Sequence, residues 1–446
     1  MKRIKTITTA LFISTTAIAA THPLNISGKE ATSVGIYIAE LSSGKILMEH
    51  NKSLAFSPAS VMKSFTSASA LSIIGTDYRF QTDTYAIGEI KNGTLHGNLV
   101  IKASGDPTLE SKHFPDNRGF IDSIVTNLNR LKISNISGSI IIDQSLIRDQ
   151  GAVPSWEIED VAWGYGAGFY ALNYRDNNFK LSITSMTTEP EIQNLVVCNN
   201  AIIGTDEPIL TRGIDSYRLN ISGSIPDSKT YTLSCSMPNP ANVLSFELKK
   251  RLALDGISIH NEKTYVNNDS ILIYTHKSPV SQEIMKSLMT RSDNLMAESI
   301  LRAIAPDSTR ASVIKTEIDI WKNRGFDCDL ITVRDGSGLS RSNRLSPLFV
   351  ARVMEWMAKS EMRDNYISMF PLAGKNGTLK NFLKGSRLSG LLALKSGSMN
   401  GVQCYAGYKL NNSGNPTHVV VIMANNFFCK RKELIKEIEH LLLKIF

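Results

Sequence analysis

After its first twenty residues the chain has no run of roughly twenty consecutive apolar residues, the length a helix needs to cross a bilayer, so no permanent membrane span is expected. Its eight histidines are scattered and its five cysteines show no zinc-type spacing, so neither a metal site nor a cofactor is expected. One-sided charge is scarce as well. The formal net charge is +8, and three of the basic residues (Lys2, Arg3 and Lys5) crowd the first five positions. What remains is spread along the chain and gives no argument for nucleic acid as a partner. No internal repeat and no low-complexity tract interrupts the sequence.

The cysteines are Cys198, Cys235, Cys328, Cys404 and Cys429, an odd number that leaves at least one thiol unpaired. Cys198 closes "NLVVC" and Cys235 closes "YTLSC", two strand-like runs in one region, which makes them the first pair to test for a disulfide. Five free thiols serving as small buried apolar residues is the other reading.

Residues 1–20, "MKRIKTITTALFISTTAIAA", join a basic start to a short apolar stretch and a small-residue run. That order describes a secretory signal peptide, with the mature chain starting near Ala20 or Thr21 in a periplasmic or other extracytoplasmic space. The rest is too long for a single hydrophobic core. "SVGIYIAELSSGKILMEHN" reads as two strands joined at Ser-Ser-Gly, and a helix follows from Ser60. Short alternating runs such as "GNLVIKASGDPTL" and "SYRLNISGSI" then describe β-rich structure, broken by one amphipathic helix, "GFIDSIVTNLNRL". Helical patterns return after about residue 275, followed by "GVQCYAGYKL", "THVVVIMANNF" and a last helix. The expected divisions are a leader (1–20), a catalytic domain in two parts (21–80 and 275–446), and a β-rich insertion of two subdomains (81–274). The last helix carries Leu434, Ile438, Leu441, Leu442 and Ile445 on one face. Such a stripe usually packs on a sheet, and peripheral membrane contact is the minority reading.

Three short patterns carry chemistry. In "FSPASVMKSFTSASAL", Ser60 and Lys63 are three apart, which on a helix puts both on one face. A buried lysine with a lowered pKa can take the proton of a neighbouring serine. The bland alternative is a helix capped by Ser57 with Pro58 at its first position. In "TRSDNLMAES", Ser292 can relay a proton and the Asn294 amide can hold a peptide carbonyl, although Ser-Asp-Asn also looks like a turn or a helix cap. In "LALKSGSMNGV", Lys395 and Ser396 can bind a terminal carboxylate, and Gly397 lets a backbone pass close to a ligand. The N–H groups of Ser60 and Ser398 would then form an oxyanion hole. Each pattern alone is weak. Ser-x-x-Lys, Ser-Asp-Asn and a Lys-hydroxyl-Gly triplet in that order, with the third before a strand near the C-terminus, form a strong combined signal.

With "SGDPTL" (104–109), "SWEIED" (155–160) and "DGSGLSR" (335–341), the chain resembles the low-molecular-mass class C penicillin-binding proteins, a D-alanyl-D-alanine carboxypeptidase/endopeptidase family. The resemblance implies an α/β (α+β) fold of the penicillin-binding, β-lactamase-like serine transpeptidase type with a large β-rich insertion. It implies peptidoglycan stem peptides as substrate and β-lactams as covalent inhibitors. Ser60 becomes the nucleophile and Lys63 its base, with Ser292 and Asn294 as the second motif and Lys395, Ser396 and Gly397 as the third. Ser396 departs from the family's usual threonine but keeps the hydroxyl. Asp160 and Arg341 best match positions that contact the peptide's third residue in some relatives, and Met399 lines the same pocket. A β-lactamase or esterase of this fold and a non-catalytic envelope-binding module are the alternatives. No G-x-S-x-G elbow supports an α/β-hydrolase.

Overall fold

The computed structural model describes residues 22–228, 230–262 and 269–446, so the leader expected over 1–20 lies outside the described residues. Both ends of that chain meet in one five-stranded antiparallel sheet, ordered Leu392–Met399, Val402–Leu410, Pro416–Asn425, Ser33–Glu40 and Ile46–His50. Its strands alternate between two cores because successive side chains point to opposite faces. Tyr37, Ala39, Val419, Val421 and Met423 face a large helical core. Val34, Ile36, Ile38, Val420, Ile422 and Ala424 face a smaller one under the last helix, Arg431–Ile445. Burial on both faces explains why "VVVIMA" is apolar throughout rather than alternating.

On that last helix Leu434, Ile438 and Leu442 are buried against the sheet, so the stripe belongs to the molecule's own core and not to a membrane anchor. Among the described residues no helix is long and apolar enough to cross a membrane.

The helical layer contains Met62–Ile74, Ser281–Arg291, Asn294–Ala303, Arg310–Asn323 and Pro347–Lys359. Trp321 is fully buried in it, and its indole N–H donates to Ser69 Oγ at 2.9 Å. Among the described residues, the middle of the chain forms three further sheets around a core of its own. The largest pairs Gln81–Lys91 with both Thr94–Lys102 and Ser270–Lys277. Two helices pack into that core, where the sequence pattern suggested one: Phe120–Arg130 and also Pro240–Leu254. The second had a legible start, since the Asn239 side chain accepts from the Asn242 N–H and Pro240 takes the first helical position.

Cys198 and Cys235 form no disulfide, and all five cysteines are free thiols, the second of the two readings. Cys198 pairs in register with Asn220 in one small sheet, whereas Cys235 pairs with Phe179 in another. Burial pushes the Cys235 thiol up to about 12, which leaves it inert.

Candidate active site

The Ser60 turn is built against the sheet rather than capped as an ordinary helix. Residues Ala59–Val61 form a 3-10 turn, and the α-helix starts only at Met62. The alternative of a helix capped by Ser57 is not realised, and the Ser57 backbone is instead held by the sheet. The Asn425 side chain, at the end of a sheet strand, accepts from the Ser57 N–H at 2.8 Å and donates to the Ser57 carbonyl at 3.1 Å. Ala59 takes a left-handed φ of +46°, which costs a non-glycine residue about 1–3 kcal/mol. Glycines crowd the turn on two sides. A Cβ on Gly338 would lie 1.9 Å from the Ala59 carbonyl oxygen, and one on Gly397 2.6 Å from that of Pro58.

Lys63 is fully buried and donates to Ser60 Oγ at 3.0 Å, Asn294 Oδ1 at 2.6 Å and the Ser337 carbonyl at 2.6 Å. The last two partners are carbonyl oxygens, which can only accept. A neutral amine has two protons and one lone pair, so with both protons spent on carbonyls the lone pair faces the serine hydroxyl. The Asn294 amide is fixed in this sense, since its Nδ2 donates to the Tyr165 carbonyl at 2.8 Å. Burial lowers the Lys63 ammonium to about 8, against the opposing pull of Asp335, Asp293 and Glu298. If this amine is the base, the acylation rate should climb with pH as the ammonium is lost, with half-maximal rate near pH 8. Stopped-flow acylation between pH 6 and 10 reads this directly, and a flat profile would contradict it.

The second and third motifs meet each other. Ser292 takes a left-handed φ of +63° between two helices, and Asp293 caps the second by accepting from Met296 N–H at 2.8 Å. Lys395 Nζ donates to Ser292 Oγ at 2.9 Å and to the Ser396 carbonyl at 2.6 Å. Lys395, Ser396, Gly397 and Ser398 all lie within the edge strand Leu392–Met399, not before a strand as the sequence suggested. Burial and the neighbouring Lys63 push the Lys395 ammonium well down. The Ser396 hydroxyl shares a 2.7 Å hydrogen bond with Thr378, a residue that carried no sequence signal.

Around this core stand the residues expected to read the substrate. Asp160 Oδ1 accepts from the Tyr165 hydroxyl at 2.8 Å, and burial raises its carboxyl above the usual range. Arg341 does not meet Asp160 directly. Its Nε pairs with Glu157 at 2.7 Å and its Nη1 donates to the Asn400 carbonyl at 3.1 Å. Met399 is half-buried at the end of the edge strand, next to Asn400, and its carbonyl accepts from Arg431 at 2.6 Å. The segment bearing Asp160 is docked by Trp156, whose indole N–H donates to Asp335 Oδ2 at 2.8 Å.

A strained serine turn, a buried lysine pair and an edge strand beside them define a serine acyl-transfer type of site on an α/β scaffold. The chain matches the D-Ala-D-Ala carboxypeptidase 3 (S13) family over residues 22–443, and it belongs to that family. It is 25% identical to the D-alanyl-D-alanine carboxypeptidase DacB of Haemophilus influenzae, over 93% of this chain and 92% of that one. It is 22% identical to a D-alanyl-D-alanine carboxypeptidase of Actinomadura, over 84% of this chain and 74% of the relative. The crystal structure of penicillin-binding protein 4 from Haemophilus influenzae superposes with a TM-score of 0.80 at 23% identity, covering 95% of this chain and 98% of that one. The same protein complexed with a β-lactam superposes at 0.75 with 22% identity, covering 96% and 98%. The fold is therefore that of the penicillin-binding proteins.

Proposed function

We propose that this protein is a serine D-alanyl-D-alanine carboxypeptidase and endopeptidase of the bacterial cell wall, exported and acting on peptidoglycan stem peptides. What supports the reading most is the Lys63 amine, 3.0 Å from Ser60 Oγ with two carbonyls accepting its protons. Lys63 takes the Ser60 proton, and Oγ attacks the carbonyl of the penultimate D-alanine. The backbone N–H groups of Ser60 and Ser398 hold the oxyanion. Ser292 and Lys395 pass a proton to the departing amine, after which water hydrolyses the serine ester. Lys395, the Ser396 hydroxyl and the backbone at Gly397 receive the terminal carboxylate, whose charge would restore the Lys395 ammonium. With terminal D-alanine leaving, the reaction is carboxypeptidase action, and with a cross-linked amino acid leaving it is endopeptidase action. A β-lactam acylates the same oxygen.

In this reading residues 21–80 and 275–446 make the catalytic domain, and the insertion, 81–274, lends it Tyr165 and the substrate-reading acids. Asp160, Arg341 and Met399 meet the side chain of the peptide's third residue, with Arg341 exchanging Glu157 for a substrate group. The test is a synthetic peptide ending in D-Ala-D-Ala, with released D-alanine measured for the mature protein and for Ser60→Ala. Release by the first and none by the second is expected. An ester substrate turned over while the peptide stays intact would favour an esterase instead.

A further inference from the structure

Both oxygens that accept from Lys63 are tied to one face of the helix Asn294–Ala303, the first directly and the second through the 336–338 loop. Asn294 supplies the first oxygen itself. Glu298 lies one turn further on, so the two side chains share a face. It is 1% exposed, and its Oε1 accepts the N–H groups of Gly336 at 3.1 Å and Ser337 at 2.9 Å. The next N–H, that of Gly338, donates to Asp335 Oδ1 at 2.8 Å. In a trans peptide the N–H and C=O point opposite ways. The Ser337 carbonyl shares its peptide with the Gly338 N–H, so Asp335 turns that carbonyl towards the amine directly, while Glu298 holds the two preceding peptides and so fixes where Ser337 sits.

We infer that Glu298 is a positioning residue for Lys63: it anchors the loop at Gly336 and Ser337, placing the Ser337 peptide, which Asp335 orients, so that its carbonyl takes one amine proton and the lone pair is turned to Ser60. The inference rests on Lys63 being the base, which its own variant tests separately. A loop carbonyl has no residue-type requirement, so something must aim it. Glu298 makes no hydrogen bond to Lys63, Ser60 or Asn294, and any role it plays passes through the loop. Desolvation, then Asp335, raises its carboxyl to about 7. The charged groups around it are Lys63 on the nucleophile helix, Asp335 on the loop, Arg310 and Glu317 on Arg310–Asn323, and Arg302 on its own helix. Once ionised it favours the Lys63 ammonium, so removing its charge should make Lys63 neutral at lower pH.

Glu298→Gln and Glu298→Leu separate positioning from charge. The glutamine oxygen can still take both N–H groups, whereas leucine fills the volume and takes neither. Acylation by a labelled penicillin is measured against pH, together with the preceding non-covalent affinity and the melting temperature. Leucine is expected to slow acylation roughly tenfold or more with little change in affinity. Glutamine should stay within about threefold of wild type on the alkaline plateau, with the rising limb moved to lower pH. A leucine variant acylated at the wild-type rate overturns the inference, as does a glutamine variant slowed as much as leucine with an unmoved limb. If the leucine variant does not fold, the same comparison is made with Glu298→Met, which also takes neither N–H group. The comparison requires a wild type that is acylated, so a failure of the serine-enzyme reading would already be visible there.

Discussion

Replacing Lys63 by methionine is expected to slow acylation by a labelled penicillin by about a hundredfold or more in a protein that remains folded. Methionine has nearly the reach of lysine and suits a fully buried position, so the helix Met62–Ile74 keeps its packing. The amine is lost, and with it the only side-chain partner that Ser60 Oγ makes among the described residues. The cost to stability is bounded by two opposing effects. Asn294 Oδ1 and the Ser337 carbonyl lose a donor, at about 1–3 kcal/mol each when buried. Against that, a desolvated amine no longer has to be buried, an effect of the same sign and order as the drop in its pKa. A modest change in melting temperature with a collapse in acylation is the expected pattern. Near-normal acylation would remove Lys63 from the chemistry and leave the Ser60–Lys63 bond a structural contact.

Gly397→Ala should also be damaging, for a different reason. A Cβ there would sit 2.6 Å from the Pro58 carbonyl oxygen and 2.9 Å from both the Ser60 and the Val61 nitrogens. All three are backbone atoms of the turn that carries the nucleophile, so none can move aside by rotating a side chain. Either the edge strand withdraws or the turn shifts, and both alter the gap between the Ser60 and Ser398 N–H groups. Misplacement on the order of 1 Å can cost a hundredfold in rate, whereas overpacking of this kind typically costs 1–3 kcal/mol of stability. The acylation rate should therefore fall by about tenfold or more while the protein stays folded at room temperature. An alanine variant with unchanged rate and melting temperature would mean that strand and turn are looser than this packing implies.

The side chains of the site were legible in the sequence, and its backbone was not. Ser60, Lys63, Ser292, Asn294 and Lys395 are chemically distinctive types at informative spacings; in the structure hydrogen bonds join Ser60, Lys63 and Asn294 in one group and Ser292 with Lys395 in another, with Lys63 near enough to lower the Lys395 ammonium. The carbonyls of Tyr165 and Ser337 could come from any residue, so no pattern announces them. "DGSGLSR" stood out as a string, but not for what it supplies: a carbonyl for Lys63, N–H groups held by Glu298 and Asp335, and glycines too small to clash. Asn425 and Thr378 were invisible for another reason: each is a common polar residue outside any motif, and only the fold brings it to Ser57 and Ser396 respectively. The fold followed the same division. Alternation and apolar runs marked the sheet strands, but whether Lys395 preceded a strand or lay in one depended on pairing with Val402–Leu410. The helix Pro240–Leu254 was missed although its asparagine cap and its proline stood side by side, because the runs around it were β-like.

The most direct test is intact-mass spectrometry of the purified protein incubated with benzylpenicillin, followed by peptide mapping. The account requires one stable adduct, with the mass of the opened drug, on the peptide containing Ser60, and its loss in Ser60→Ala. No adduct on protein shown to be folded, or an adduct on another residue, would contradict it.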